Sequence, residues 1–369
     1  MPACPEPGEE GVFEVQIDTR MTVSRGDDSH LTPQLLGLLV GVHESGSIAQ
    51  AAARAGLSYR YAWGLLRDGQ RLFGTPLVRS SRGRGARLSA LGERLVWADR
   101  RVAARLSPLL ESLATEIEAE LERAVSSERA ILRMQASHGF GVETLRHFLA
   151  REQIPLDLKY RSTREGLGAL ATGGCELAGF NVPIGALENA ALENYRPWLL
   201  PERHRVAHLA TRRQGLIVER GNPLRIGALP DLCREGVRFV NRQPGSSTRM
   251  LFDLLVQRAA LAPADITGYD SYEYTHPAVA AYVASGMAHA GFGLETPARR
   301  FGLDFVPMVT ERYFLLGDAS VLESPVMRGV LAIMRGDAFR HAVNALPGYD
   351  ASLCGTVQTL PQAFAAFAG

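Results

Sequence analysis

Three stretches of the chain put hydroxyls beside an arginine or an imidazole where an apolar strand gives way to a helix. The longest is Asn241-Arg242-Gln243-Pro244-Gly245-Ser246-Ser247-Thr248-Arg249. It follows the apolar Val237-Arg238-Phe239-Val240 and leads into a helix expected over Met250–Ala260. A helix start carries free N–H groups and the positive end of the helix dipole, so hydroxyl donors and a guanidinium fork there suit an oxyanion. Gly245 permits close backbone approach. The second stretch is Arg161-Ser162-Thr163-Arg164-Glu165-Gly166 and the third is Ala136-Ser137-His138-Gly139. Ordinary capping by these hydroxyls, with Arg249 in a surface ion pair, is the competing reading. Two or three hydroxyl-rich helix starts in one region favour a small anion.

Motifs for turnover are absent. The sequence has no GxSxG elbow, no HExxH and no Walker loop, and the pairs Gly83/Gly85 and Gly291/Gly293 lack the GxGxxG form. Cys4, Cys175, Cys233 and Cys354 lie far apart, so neither a zinc site nor a disulfide framework is legible. The expectation is a protein that is not an enzyme and needs no metal or cofactor.

A second kind of chemistry lies further forward. Residues 46–105 carry twelve arginines against Asp68, Glu93 and Asp99, in a chain of net charge +1. A basic block of domain size in a neutral chain suits the phosphate backbone of a nucleic acid. Within it, Ser58 caps a helix beginning Tyr59-Arg60-Tyr61-Ala62-Trp63, and Ser47 and Ser58 are counted with that helix among the DNA-contact candidates. Tyr59, Arg60, Trp63 and Arg67 are expected to point outward, with Trp63 evenly placed between groove and core. Arg60 suits a guanine edge. Arg82, Arg84 and Arg87, on an Arg/Gly/Ser-rich hairpin, suit phosphate or the minor groove. A merely solvated arginine face is the alternative.

These residues need elements to hold them. Residues 1–29, rich in Pro, Gly and acids, read as a mobile tail, with a docked strand as the lesser option. Residues 30–92 read as helix, helix (Ile48–Ala55, capped by Ser47), helix (Tyr59–Phe73) and a two-stranded wing: a winged helix-turn-helix. A long helix, about Ser89–Val125, follows through a linker at 93–127. Leu106, Leu110, Leu113, Ile117, Leu121 and Ala124 recur along it at near-heptad spacing. That seam predicts a homodimer or homotetramer through the linker helix. Residues 128–369 alternate strand and helix (Ile131–Ala136, Val142–Arg151, Leu156–Tyr160, Arg164–Ala171, Glu176–Phe180), the pattern of an α/β effector-binding domain with parallel strands. No apolar run of ~18 residues and no secretory N-terminus occurs, so a soluble, cytoplasmic protein is expected.

The run Gly46-Ser47-Ile48-Ala49-Gln50-Ala51-Ala52, Leu57–Trp63, Leu72–Arg79 and Leu88–Gly92 resembles LysR-type regulators, and Ser58–Trp63 is similar to the ModE-like molybdate-responsive regulators. The likeness covers about 31–95 and implies dimers on inverted-repeat DNA. Gly64 stands where LysR-type proteins often carry a polar contact. Gly166–Leu170, Ala178–Asn181, Arg213–Val218, Gly221–Pro223, Asn241–Arg249, His276–Ala280, Ala284–Gly291 and Leu303–Phe305 resemble a periplasmic-binding-protein-like domain of the molybdate- and molybdopterin-associated type. His289 and Asn181-Val182 depart from that pattern. The resemblance implies lobes at about 128–212 with 306–369, and at about 213–305, with His276 and Tyr313 at the cleft. It implies a ligand-responsive transcriptional regulator sensing molybdate, tungstate, or formate or another small carboxylate, with control of genes such as formate dehydrogenase. A molybdopterin-type cofactor stacked on Phe180, Tyr274 or Tyr313, and a DNA-binding scaffold with a non-sensing oligomerisation domain, are the alternatives.

Overall fold

The computed structural model describes residues 13–25, 30–81, 85–125 and 130–368. Arg82 and Arg84 lie outside the described residues, as does most of the acidic tail. The chain divides into two compact units, Asp18–Arg105 and Leu106–Gly369, the second including the residues up to Ile17.

The smaller unit opens with β1 (Val23–Ser24) paired antiparallel to β2 (His30–Leu31). Helices α1 (Pro33–Ser45), α2 (Ile48–Arg54) and α3 (Tyr59–Phe73) follow. Each starts at a hydroxyl that accepts an N–H of the first turn: Thr32 from Leu35, Ser47 from Gln50, Ser58 from Tyr61. An antiparallel hairpin, β3 (Val78–Ser81) and β4 (Gly85–Leu88), completes it. Leu35, Leu38, Leu39, Val42, Ala62, Leu66 and Leu72 form the core, at the periodic apolar positions that made these segments helical.

Helix α4 (Ala90–Val125) runs from one unit into the other. In the larger unit its hydroxyls cover a sheet edge. Thr115 Oγ1 accepts from Leu158 N and donates to Leu158 O, and Ser112 Oγ accepts from Tyr160 N. An edge strand's open N–H and C=O groups are thereby satisfied. The N-terminal stretch also lies on this helix: Phe13 N and Val15 N donate to Glu122 and Glu118.

The larger unit begins β5 (Leu132–Ala136), α5 (Phe140–Arg151), β6 (Leu156–Tyr160), α6 (Thr163–Ala171), β7 (Leu177–Pro183) and α7 (Glu188–Glu193). The long β8 (His204–Val218) leads to β9 (Phe239–Arg242), α8 (Ser247–Arg258), β10 (Tyr272–Glu273), α9 (His276–Ala284), β11 (Ala290–Leu294) and α10 (Glu295–Arg300). The equally long β12 (Asp304–Asp318) returns to α11 (Ala319–Leu322), α12 (Pro325–Arg335), α13 (Asp337–Asn344), β13 (Tyr349–Asp350), β14 (Val357–Thr359) and α14 (Leu360–Ala363). The main sheet runs β10-β9-β11-β8-β12-β7-β5-β6. Two triplets of parallel strands are each joined through antiparallel β8 and β12. The result is two α/β lobes sharing two long strands, with the carboxyl ends of the parallel strands turned to the crossing region.

Helix α8 starts at Ser247, three residues before the expected Met250. Ser246 is its cap and accepts from Arg249 N. Its first turn, Ser-Thr-Arg, lacks the apolar periodicity that marks a helix in sequence.

Candidate functional site

Buried cations gather where β5, β9 and β10 end and β8 crosses β12. Arg212 on β8 faces its cross-strand partner Glu311 on β12. Its Nε donates to Glu311 Oε1 at 2.6 Å, while Asn181 Nδ2 on β7 donates to Oε2 at 2.5 Å. The guanidinium carbon lies 4.7 Å from the Tyr313 ring centroid. Gly139, at the start of α5, leaves room for it: a methyl there would stand 3.0 Å from Arg212 Nη1. Burial opposes the Arg212 charge, but Glu311 and the tyrosines at 349 and 313 outweigh it and raise its pKa.

Arg242, at the end of β9, has no such partner. Its Nε donates to Gln243 Oε1 at 3.1 Å and Nη2 to Tyr274 O at 3.0 Å. Among the described residues no carboxylate lies within ion-pair distance. Burial first, and the Arg212 charge second, bring its pKa down to about 9, so it stays charged at neutral pH. A buried charge without a counter-charge is costly unless something pairs with it.

Two imidazoles flank this guanidinium. His276 opens α9; its Nδ1 accepts from Leu294 N at 3.3 Å, and Nε2 lies 3.4 Å from Thr248 Oγ1. The Leu294 contact places the neutral ring's proton on Nε2. Burial, then Arg242, Arg212 and His138, push its pKa well down. His138 follows β5. Its ring stands edge-on to Tyr160 at 5.0 Å, Nε2 is 3.9 Å from Glu111 Oε1 on α4, and Nδ1 is buried without a hydrogen bond. Burial brings His138 to about 4. Gln214, two residues along β8 from Arg212, is fully buried with neither amide atom hydrogen-bonded. Ser137 Oγ and Tyr313 OH are 3.3 Å apart. The Arg242 guanidinium, hydrogen-bonded but without an ion pair, suits holding an anion.

Of the residues singled out in sequence, Ser137, His138, Arg242, Thr248, His276 and Tyr313 belong to this cluster. Asn241 clamps the end of β9: Oδ1 accepts from Arg242 N and Nδ2 donates to Tyr269 O. Ser162 caps α6 in a reciprocal box with Glu165, and Thr163 is buried near Tyr195. Arg164, Ser246, Ser247 and Arg249 line a separate open pocket of about 400 Å³. There Arg249 is matched: Nε donates to Asp253 at 2.9 Å, and the guanidinium stacks 4.1 Å from the Tyr269 ring. Of the aromatic candidates for stacking, Phe180 is in the core against Phe314 and Phe364, whereas Tyr274 is 56% exposed. Arg212, Glu311, Asn181 and Gln214 were not singled out as site residues in sequence, although Asn181 and Gln214 fall in the stretches of family resemblance. Their signal was a polar residue at a buried position of a long apolar strand.

In the smaller unit Ser47 and Ser58 act as caps. Tyr59 and Tyr61 are half exposed on α3, beside exposed Arg60 and Arg67. Trp63 packs partly on the core and edge-on to Tyr59. Exposed Arg87 on β4 lies directly opposite exposed Arg79 on β3. Like charges paired across strands repel, so this hairpin too favours an anionic surface.

Among the described residues no helix is long and apolar enough to cross a membrane. In comparisons with known proteins, the chain is 29% identical over 210 residues to the uncharacterized protein YvgK of Bacillus subtilis, covering 56% of this chain and 67% of that protein. It is 30% identical over 111 residues to an uncharacterized protein in the ferredoxin 2Fe-2S gene 5' region of Clostridium pasteurianum, covering 30% of this chain and 98% of that protein. Among solved structures it is similar to a cysteine mutant of Corynebacterium glutamicum OxyR with H2O2 bound, at 16% identity and TM-score 0.44, over 84% of this chain and 93% of that one. Residues 145–335 match the family model described as the PBP superfamily domain, more than half of the chain, and on that match this protein belongs to the PBP superfamily.

Proposed function

We propose that this protein is a ligand-responsive, DNA-binding transcriptional regulator whose α/β unit senses a small anion between its lobes. The observation that carries the reading is Arg242, a buried guanidinium without a carboxylate, ringed by Arg212, His276 and His138. A PBP-type clamshell supplies the two lobes that would close on a ligand. The DNA half rests on the smaller unit: three capped helices and a hairpin, with Tyr59, Arg60 and Arg67 exposed on α3 and Arg79 against Arg87 on the hairpin. In a winged helix-turn-helix, α3 would enter the major groove and the hairpin would follow the phosphates.

Helix α4 is the coupling element and the self-association surface. Leu113, Ile117 and Leu121 remain 38–42% exposed on it, as an apolar seam awaiting a second copy would be. Ligand acts by its differential affinity for the open and closed lobes and can shift DNA binding by no more than that difference. Molybdate, tungstate and formate are the effector candidates, and no turnover of the ligand is expected. Fluorescence anisotropy of the full-length chain on duplexes from upstream of its own gene tests the reading. It predicts salt-dependent affinity that changes on adding one of these anions. Affinity indifferent to salt, or to every anion tried, contradicts it.

A further inference from the structure

We infer that the cluster around Arg242 takes a singly charged anion of the carboxylate class, and that a doubly charged oxyanion enters only together with a proton taken up by His138. This rests on reading the cluster as the effector site.

The formal charges lead there. Arg212 and Glu311 cancel as a bonded cross-strand pair. His276 holds its ring neutral by accepting Leu294 N–H at Nδ1. Arg242 is left as the guanidinium without an ion pair among the described residues, with a charge of +1 and its Nη1 free of protein partners there. Its Nη1 and the Nε2–H of His276, which makes only a 3.4 Å contact to Thr248, give one donor for each oxygen of a carboxylate. A monoanion matches that one charge, and the carboxylates of Glu273, in register with Arg242 on β10, and of Glu111 stand against a second negative charge.

A dianion leaves one negative charge in excess, with the Glu111 carboxylate just beyond the His138 ring. The groups facing that ring are Glu111 from α4, Tyr160 from β6, Arg242 from β9 and His276 from α9, and Glu143 on α5 stands beside Glu111. Of the two imidazoles flanking Arg242, His138 has a buried nitrogen, Nδ1, without a hydrogen bond among the described residues. Protonated, it would donate Nδ1–H toward the anion and Nε2–H toward Glu111. The proton comes from solvent and leaves with the ligand.

Calorimetric titration of the full-length chain with formate, acetate, sulfate and molybdate, in two buffers of different ionisation enthalpy, tests this. Formate or acetate should bind with the same apparent heat in both buffers and with affinity flat from about pH 6 to 8. Sulfate and molybdate should bind at least about a hundredfold more weakly near neutral pH. Each should take up about one proton and tighten about tenfold per pH unit as pH falls. In His138→Gln that pH dependence should vanish and the dianions should stay weak. Sulfate or molybdate binding as tightly as formate without proton uptake overturns the inference but leaves the effector site standing. Failure of all four anions to bind overturns the site itself.

Discussion

Two arginines seven residues apart separate the buried cluster from the open pocket. Arg242→Met removes a buried charge and two hydrogen bonds, to Gln243 and Tyr274. The depression of its pKa from 12.5 to about 9 corresponds to at most ~5 kcal/mol of unfavourable charge burial, at ~1.4 kcal/mol per unit. The two charge-assisted hydrogen bonds are worth ~1.5–3 kcal/mol each. The two effects oppose and nearly cancel, so the ligand-free variant should fold with a melting midpoint within a few degrees of the parent. The response to ligand should change far more. An anion at about a hundred times its Kd stabilises the parent by ~2.7 kcal/mol, or about 3–5 °C for a chain of this size. Losing the cationic partner costs ~3–5 kcal/mol of binding, which raises Kd by two to three orders of magnitude or more. At the same anion concentration the shift should shrink to under about 1 °C. Arg249→Met breaks a partly exposed pair with Asp253, costing ~1 kcal/mol of stability while leaving the shift intact. Scanning fluorimetry at constant ionic strength reads both. A full shift in Arg242→Met, or its loss in Arg249→Met, would refute the reasoning and move the ligand to the Arg164–Arg249 pocket.

Other consequences are as accessible. Arg60→Ala should lose ~1–3 kcal/mol of discrimination at one base pair; binding selections giving the parental motif would remove Arg60 from base readout. Arg79→Ala with Arg87→Ala should reduce the slope of log K against log salt by about two, and an unaltered slope would leave the hairpin off the DNA. Burial first of all holds His138 and His208 to about 4 when folded, against ~6.5 unfolded, and His276 is depressed likewise. The unfolded chain therefore binds these protons first. Stability is intact above about pH 6.5 and is lost between about 6.5 and 4, by up to ~3 kcal/mol for each of His138 and His208; a midpoint flat across that window would contradict the assignment. Leu113→Glu with Ile117→Glu should yield monomers by light scattering, whereas an unchanged mass would place any self-association elsewhere.

The smaller unit was the more legible part of the chain because its signals are local. Ser47 and Ser58 before apolar-periodic runs marked helices whose observed starts, Ile48 and Tyr59, are the expected ones. The α/β alternation after Ser127 was readable as well. The shared strands were not. A 15-residue strand serving two lobes, such as β8, buries residues on both sides and carries His208, Arg212 and Gln214 in its span, so it lacks a clean alternation. Arg212 and Glu311 lie 99 residues apart, and no local pattern joins them. The hydroxyl-rich helix starts were found, but sequence could not sort them. Ser162 and Ser246 spend their hydroxyls on caps, whereas Thr248 reaches His276 because α8 begins a turn early.

Crystals of the full-length chain grown in bromide and in formate give the most direct test of the anion site. An anomalous bromide peak, displaced by formate density, is predicted within hydrogen-bonding distance of Arg242 and of Nε2 of His276. Bromide found only beside Arg164 and Arg249, with the cluster occupied by neither anion, would contradict the account.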